Sequence, residues 1–269
     1  MRTLSKIATA AAAAGLLLVP TAASADGHTG TVTVVHGIPD TPVDVYVNDE
    51  LTLDDFAPGT VTDPLDLPEG DYTFDLTAPD ASDNSEPILS ADATLEAGAN
   101  VSAVAHLNEG GEPMVSLFVN DTSTIDAGNA RVTVRHTAAA PAVDILAGGD
   151  ALIEGLANPD EAVADVPAGD YDLAINAAGT DTEVAALPGT TLAEGVNTIA
   201  YATGSLDDET FEVLVQTIDG LHDDPEGVPA GTAGLVDDGG VSPLAIALGL
   251  SGLAALGFAA RRRTVESKA

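Results

Sequence analysis

Apolar and polar residues alternate along short segments of the chain, and these segments occur in two matching sets. Residues 32–46 read VTVVHGIPDTPVDVY, and residues 132–146 read VTVRHTAAAPAVDIL, so that six positions are identical in register. An alternation with a period of two predicts β-strands with one buried face. The pattern therefore predicts a duplication of one β-rich unit.

Turn residues at equivalent places support this duplication. Asn48-Asp49 in the first copy and Gly148-Gly149 in the second separate two strand-like runs, and both pairs tolerate the positive φ angles of a tight hairpin. Further on, each copy contains a Pro-x-Gly-Asp-Tyr segment that leads into an alternating run. Tyr72 and Tyr171 are expected to bury their rings while each hydroxyl finds a backbone partner.

Each copy spans about 90 to 95 residues, with six or seven short strands and no convincing amphipathic helix. That size and pattern are typical of an immunoglobulin-like β-sandwich. We therefore predict an all-β protein with two tandem immunoglobulin-like β-sandwich domains, residues 30–125 and 130–219. A flexible acidic stalk, residues 220–240, is predicted to follow them.

The two ends have the composition of export and anchoring segments. Residues 1–25 combine Arg2 and Lys6, an apolar run and an Ala-Ser-Ala site, as in a signal peptide. The uncharged run Val241 to Ala260 has the length of a transmembrane helix, and the arginines in the tail 261–269 place that tail in the cytoplasm. The body is then exported to the cell surface. Alternatively, the run is a sorting tail that is cut and replaced by an anchor.

The charge of the chain narrows its choice of partners. There are 43 acidic residues against 8 basic ones, and between positions 26 and 240 the only basic residues are Arg131 and Arg135. Nucleic acid is therefore excluded as a partner. Because salt screens self-repulsion, the composition indicates either a protein adapted to high salt or simply a soluble acidic surface. The absence of Cys excludes disulfides and thiolate metal sites.

A histidine and an aspartate recur in both copies and are the natural candidates for a site. His36 with Asp44, and His136 with Asp144, could hold a metal or transfer a proton. The alternative is that each imidazole binds loop backbone and fixes the entry to the hairpin. Acidic clusters such as residues 54–55 and 207–209 could supply oxygen ligands to Ca²⁺, although none has the spacing of a calcium loop.

Recognised catalytic motifs are missing from the sequence. It has no Cys nucleophile, no His-Glu-x-x-His, no Gly-x-Ser-x-Gly and no glycine-rich phosphate loop. The absence of Trp and an aromatic content of 3% argue against a sugar-stacking cleft. We therefore assign no catalytic residue, no metal ligand and no cofactor, with Ca²⁺ kept as an open alternative.

The opening motif resembles a family of secreted bacterial and archaeal proteins known as domain of unknown function 4397. His36, the Pro39-Asp40 pair and residues 42–46 carry the resemblance, which extends over both copies. The second copy departs from the motif, with Ala139-Ala140 in place of Pro39-Asp40. The resemblance implies a cell-envelope β-sandwich without an established activity. A function that depends on the loop 37–42 would then reside in the first copy.

Together these features predict a non-enzymatic protein displayed on the cell surface, with a structural, adhesive or binding role in the envelope. Its partner would be an envelope component or an extracellular protein or polymer, and its C-terminal helix would contact the membrane. The candidate binding residues are His36, Pro39, Asp40, Asp44, His136 and Asp144. Two alternatives remain open: an extracellular hydrolase with an unrecognised His and carboxylate site, and a Ca²⁺-binding surface module.

Overall fold

The computed structural model describes residues 28–222, and these residues form β-strands, turns and loops without a helix. The first copy contains nine strands: β1 (Thr29–His36), β2 (Val43–Val47), β3 (Glu50–Phe56), β4 (Thr60–Val61), β5 (Leu65–Pro68), β6 (Gly70–Thr77), β7 (Leu89–Leu95), β8 (Asn100–Leu107) and β9 (Pro113–Val119). The second copy contains eight: β10 (Asn129–His136), β11 (Val143–Ala147), β12 (Asp150–Leu156), β13 (Glu161–Pro167), β14 (Gly169–Ala177), β15 (Glu183–Leu192), β16 (Asn197–Thr203) and β17 (Glu212–Ile218). The prediction of an all-β chain is confirmed for this range.

Each copy folds into two sheets with the same strand order. In the first copy, β4-β1-β8-β9 form one sheet, with β5 also paired to β1, and β3-β2-β6-β7 form the other. In the second copy, the corresponding sheets are β13-β10-β16-β17 and β12-β11-β14-β15. We call the sheets that contain β1 and β10 the inner sheets, and the other two the outer sheets. Apolar side chains from both sheets of each copy fill the space between them.

The strand order corrects the prediction of an immunoglobulin-like fold. Immunoglobulin domains place strands A, B, E and D in one sheet and C, F and G in the other. Here the first two strands of each copy lie in different sheets, and β1 pairs in parallel with β8, as β10 does with β16. The cause lies in the loop 37–42, which contains two prolines and carries the chain across to the other sheet instead of closing a hairpin.

The predicted hairpins and the backbone partners of the two tyrosine hydroxyls are confirmed, while Tyr72 and Tyr171 are only partly buried. Asn48 and Asp49 have φ angles of 48° and 66°, and the glycines at the equivalent turn of the second copy are also positive. These turns join β2 to β3 and β11 to β12. Tyr72 and Tyr171 each donate a hydroxyl hydrogen bond of 2.7 Å to the carbonyl of the proline four residues earlier. Local sequence therefore determines these parts of the fold.

The two copies pack together through the outward faces of their inner sheets. Six buried apolar residues from both copies form one cluster at this interface: Val35, Val104, Phe118, Ile199, Tyr201 and Leu214. The central strands β1 and β10 are consequently buried on both of their faces. This double burial gives a structural reason for the close similarity of residues 32–36 and 132–136, because every side chain in these segments meets a packed neighbour.

The segment between the copies and the start of the predicted stalk are bound to each other. Ile125 is fully buried, and its N–H donates to the carbonyl of Leu221 at 2.6 Å. His222 pairs with Ile125 in a parallel bridge and packs against Gly195. Thus the first three residues assigned by sequence to the stalk, 220–222, belong to the packed structure.

The predicted signal peptide, the rest of the stalk, the transmembrane segment and the basic tail lie outside the described residues. Within residues 28–222 there is no helix with the length and apolar character needed to cross a membrane.

Candidate functional site

His36 lies at the end of β1, inside the first sandwich, and is completely buried. Its ring stacks on Phe56 at a centroid distance of 5.5 Å, and its Nε2–H donates to the carbonyl of Thr41 at 2.8 Å. Nδ1 has no hydrogen-bond partner among the described residues. Burial lowers the pKa of His36 below its ordinary value, and the bond to Thr41 opposes this shift only in part. The imidazole is therefore neutral at pH 7 and fixes the loop that follows β1.

His136 occupies the equivalent place in the second copy. Its Nε2–H donates to the carbonyl of Pro141 at 2.9 Å, and the N–H of Ala138 approaches Nδ1 at 3.4 Å. Burial again lowers the pKa, as the largest of several effects. Both histidines thus bind the carbonyl five residues later, although the two loops have different sequences. The bond depends on backbone geometry and not on the Pro39-Asp40 pair.

The recurring aspartates fix the start of the hairpin in each copy. Asp44 is buried, and its Oδ1 accepts the N–H of Asp55 at 2.8 Å. Asp144 accepts the N–H of Gly155 and the N–H of Gly179, both at 2.7 Å, and these bonds lower its pKa. The register of the hairpin shifts at this point in both copies, as in a β-bulge. Each carboxylate therefore satisfies one backbone donor that the bulge leaves without a strand partner, and Asp144 also satisfies a donor in the turn between β14 and β15.

Neither histidine forms a hydrogen bond or ion pair with its aspartate among the described residues. The imidazoles face the loop after the first strand, whereas the carboxylates face the bulge and the turn near residue 179. A His-Asp pair for proton transfer requires the two groups to lie within hydrogen-bond reach, either directly or through one water. The structure thus brings each residue to a backbone partner and does not assemble the pair.

The loop 37–42 of the first copy is partly occupied by contacts with the second copy. Pro39 is half-buried, while Asp40 is exposed with a φ of 60°. The carbonyl of Gly37 accepts the N–H of Gly204 at 3.3 Å. A Cβ at Gly37 would come within 2.6 Å of the Thr203 side chain, so only glycine fits here without displacing β16. This loop thus has a structural role in joining the copies.

Carboxylates gather beside the bulge of the first copy. Partial desolvation raises the pKa of Asp55, and the nearby charges of Asp54, Asp80 and Asp44 raise it further. Among residues 28–222, however, no three acidic or histidine side chains are arranged to hold a metal ion. In the second copy, an open cleft of about 250 Å³ lies beside Asp144 and Asp181. Its polar rim could contact a solute, but it contains no nucleophile paired with a base.

Sequence reasoning noted Arg131 and Arg135 by their rarity but assigned them no role. Both are buried at or near the junction between the copies. Arg131 binds both oxygens of Asp165, at 2.8 and 3.0 Å, and also contacts Asp121 in the connecting segment. The signal that could have found them is their position, because an arginine within an apolar strand requires a buried acceptor.

Arg135 is the more deeply buried of the two, with no exposed surface. Its guanidinium donates to Glu161 at 2.9 Å, to the Tyr201 hydroxyl at 2.9 Å and to Asn120 Oδ1 at 2.7 Å. It also lies 4.5 Å above the ring of Phe118, which belongs to the first copy. Arg135 therefore connects the two copies through both polar and aromatic contacts.

His106 is a further buried polar residue, and it was not among the candidates predicted from the sequence. Its Nδ1 lies 2.9 Å from the Leu107 carbonyl and its Nε2 lies 2.8 Å from Ser116 Oγ. Burial lowers its pKa, and the proximity of His136 lowers it further. Nearby, the Asn158 amide donates to carbonyls of both copies, Leu107 and Ala138. These groups form a polar seam at the edge of the interface.

The fold and the site thus define a class of protein: an all-β chain in which two duplicated sandwiches share a buried interface and use their recurrent polar residues for backbone contacts. Residues 30–146 match a family described as Domain of unknown function (DUF4397). The matched segment covers the first copy and continues through β10 into β11. No curated protein matches the chain.

Proposed function

We propose that this is a non-enzymatic cell-surface protein whose paired sandwiches have a structural, adhesive or binding role in the envelope. The observation that carries the proposal is the use of both recurrent His and Asp pairs as supports for the backbone. His36 and His136 are buried against their own loops, and Asp44 and Asp144 accept backbone N–H groups. Side chains that bond to the backbone in this way make the loops rigid, and a rigid surface is suited to binding a partner.

The sequence supports the cellular location. Residues 1–25 have the parts of a signal peptide, and residues 241–260 have the length and composition of a membrane span followed by arginines. The acidic composition fits a protein that faces a medium rich in cations. The partner on this proposal is an envelope component or an extracellular protein or polymer.

Protease treatment of intact cells that produce the full chain tests the location. Proteinase K should remove the two sandwiches while a cytoplasmic marker remains intact. Protection of the sandwiches in intact cells, with digestion after lysis, would contradict display on the surface.

Cosedimentation of the full chain with washed envelopes in 1 M NaCl tests the role. The His36→Gln variant, with folding checked by circular dichroism, should sediment as the wild type does, because His36 supports the loop and is not a contact residue. Release of soluble fragments from the envelopes by the wild type, lost in His36→Gln, would identify a hydrolase and overturn the proposal.

A further inference from the structure

Most sheet edges in this protein carry charges that discourage pairing with another chain. Edge strands expose N–H and C=O groups, and charged residues commonly protect them. The edge strands β3, β5, β7, β12, β13 and β15 each contain at least one acidic residue, and β4 is only two residues long. By contrast, β9 has no charged residue, and β17 has only Glu212 at its start. The edge of β9 is thus without the protection that the others have.

The free backbone groups of β9 belong to alternate residues. Asn120 donates to the carbonyl of Asn100, and the carbonyl of Glu112 accepts the N–H of Asn108, so the even-numbered residues face β8. In an antiparallel pair, the intervening residues point their N–H and C=O groups away from the partner. Val115, Leu117 and Val119 therefore present backbone groups at the open edge, since β9 pairs only with β8 among the described strands.

Two of these residues also line an apolar opening into the first sandwich. A cleft of about 240 Å³ lies between β9 and the edge of β7, with Leu117 and Val119 on one side. Core residues Val32 and Phe74 contribute to its lining. Val119 is 70% exposed and Leu117 is 37% exposed, which is unusual for side chains on the core side of a strand. On the β7 side, the lining includes the small side chain of Ala93.

One position on the corresponding edge of the second copy is more polar. Val119 pairs with Val101, and the equivalent pair in the second copy is Thr217 with Thr198, so a polar residue replaces the exposed valine. Leu187 of β15 packs against the second core. The uncharged edge strand and the apolar residue Val119 are therefore features of the first copy that the second copy does not repeat, since β17 contains Glu212 and Thr217.

We propose that β9 and the adjoining cleft form a docking edge for an extended segment of a partner protein. The segment adds as a strand to β9 and inserts apolar side chains, at alternate positions, into the cleft between β7 and β9. Backbone hydrogen bonds to Val115, Leu117 and Val119 provide affinity, and the cleft selects the side chains. This inference rests on the proposed binding role and specifies the class of partner.

The negative charges around the cleft indicate which residues should flank the apolar positions of the partner segment. Asp92 lies at the rim of the cleft, and Asp71 lies close to it on the adjacent strand. Arg131 and Arg135, the only Lys or Arg residues among those described, are themselves buried and are engaged in ion pairs with Asp165 and Glu161. The surface therefore repels acidic segments, a second copy of this chain included, and favours a segment with basic residues on either side of its apolar positions.

Fluorescence anisotropy with a synthetic peptide tests the docking edge on the full chain. The probe is Lys-Thr-Val-Thr-Val-Thr-Lys with an N-terminal dye. A peptide with the same charges, in which proline replaces the central threonine, controls for attraction between charges. Leu117→Pro removes an N–H at the open edge that does not bond to β8. Val119→Thr introduces the residue type found at the equivalent position of the second copy, Thr217. We expect Leu117→Pro to abolish binding and Val119→Thr to weaken it at least fivefold. Val215→Thr, at the equivalent edge of the second copy, should bind as the wild type does.

Hydrogen exchange measured with and without the peptide supplies a second readout. Binding should protect the amides of Val115, Leu117 and Val119. Equal binding by wild type and Leu117→Pro, protection elsewhere, or absence of binding would overturn the docking edge. Dimerisation of the wild type in sedimentation experiments, lost in Leu117→Pro, would make a second copy the occupant and overturn the proposed partner. Envelope binding that survives Leu117→Pro would leave the proposed function standing while the docking edge fails.

Discussion

At the scale of single residues, the most informative groups are buried polar side chains bound to backbone. Asp44 and Asp144 show the principle clearly, since each binds N–H groups at a bulge. A carboxylate in this position replaces a missing strand partner. The residue is thus needed for a local backbone shape that an alternating sequence alone cannot maintain.

Asp44→Ala should destabilise the fold by about 1–3 kcal/mol, because the N–H of Asp55 loses its acceptor beside a buried position. The measurement is the free energy of unfolding in urea. Asp44→Asn keeps an oxygen acceptor and serves as the matched control, with a smaller expected loss. Equal stability of Asp44→Ala and the wild type would contradict the role assigned to the carboxylate.

The buried histidines predict a specific dependence of stability on pH. His36, His106 and His136 have pKa values below the ordinary value of 6.5 in the folded state. The unfolded chain therefore binds protons first as the pH falls, and stability should decrease from about pH 6.5 downwards until the folded pKa values are reached. Each histidine contributes a slope of up to about 1.4 kcal/mol per pH unit in that window.

Urea unfolding between pH 7.5 and 5.5, in 1 M NaCl to screen the carboxylates, measures this dependence. His136→Gln should have a shallower slope than the wild type. A stability that stays constant over the range would show that these histidines titrate alike in both states.

At the scale of the elements, the interface between the inner sheets uses equivalent positions in different ways. Val35 and Arg135 occupy equivalent positions in the two copies. In the parallel pairs, Val35 lies beside Val104 of β8, and Arg135 lies beside Tyr201 of β16. The same register makes Phe118 equivalent to Gln216. Where one copy has an apolar residue, the other has a polar one that bonds across the interface. Gln216, for example, donates to Thr33 of the first copy at 3.2 Å.

Arg135→Val, which copies the residue of the first copy, should cost about 2–3 kcal/mol, because it removes a buried cation and leaves its acceptors short of a donor. The lower end of the usual range applies since Glu161 is partly exposed. Glu161→Gln keeps an acceptor for Arg135 and should cost less. The measurement is the free energy of unfolding in denaturant for the wild type, Arg135→Val and Glu161→Gln. If Arg135→Val is as stable as the wild type, Arg135 does not stabilise the contact between the two copies.

The elements also mark how far the sequence allows prediction. Alternation around Tyr72 and turn residues at Asn48 predicted strands and hairpins correctly, because these depend on neighbours in the chain. The observed strand order differs from that of the predicted immunoglobulin-like fold, since the pairing of β1 with β8 joins residues about 70 positions apart and leaves no local signal. For the candidate site, the sequence identified the recurring His and Asp residues but not the groups to which they bond. Which backbone group each side chain meets depends on the bulge and the loop, whose paths the sequence pattern does not specify.

At the scale of the whole molecule, the shared apolar cluster makes the two sandwiches dependent on each other. Val104 and Phe118 from the first copy and Ile199 and Tyr201 from the second all lie within it. Unfolding one copy would expose the apolar face of the other to water. The described residues should therefore behave as a single cooperative unit.

Differential scanning calorimetry should detect one unfolding transition that includes both copies. The calorimetric and van't Hoff enthalpies of this transition should be equal. Phe118→Gln places in the first copy the residue of the second and removes apolar contact at the interface. This variant should separate the transition into two. Two transitions in the wild type would contradict the single unit.

The charge of −35 predicts a strong effect of salt on this unit. Raising NaCl from 0.05 M to 1 M should increase the melting temperature on the order of 5 °C, because shorter screening lengths reduce repulsion among the carboxylates. An uncharged osmolyte at the same osmolarity is the control and should have a smaller effect. A melting temperature that does not change with salt would indicate an acidic surface without adaptation to salt.

The interface between the inner sheets also limits how a chain of this kind can grow. Either sandwich alone would expose its half of the interface, with Val104 and Phe118 on one side or Ile199 and Leu214 on the other. Gain or loss of one copy would leave such a face open, and the exposed apolar surface would promote aggregation. Copies of this unit should therefore be added or removed in pairs, so that the number of sandwiches in an elongated version of the chain is even.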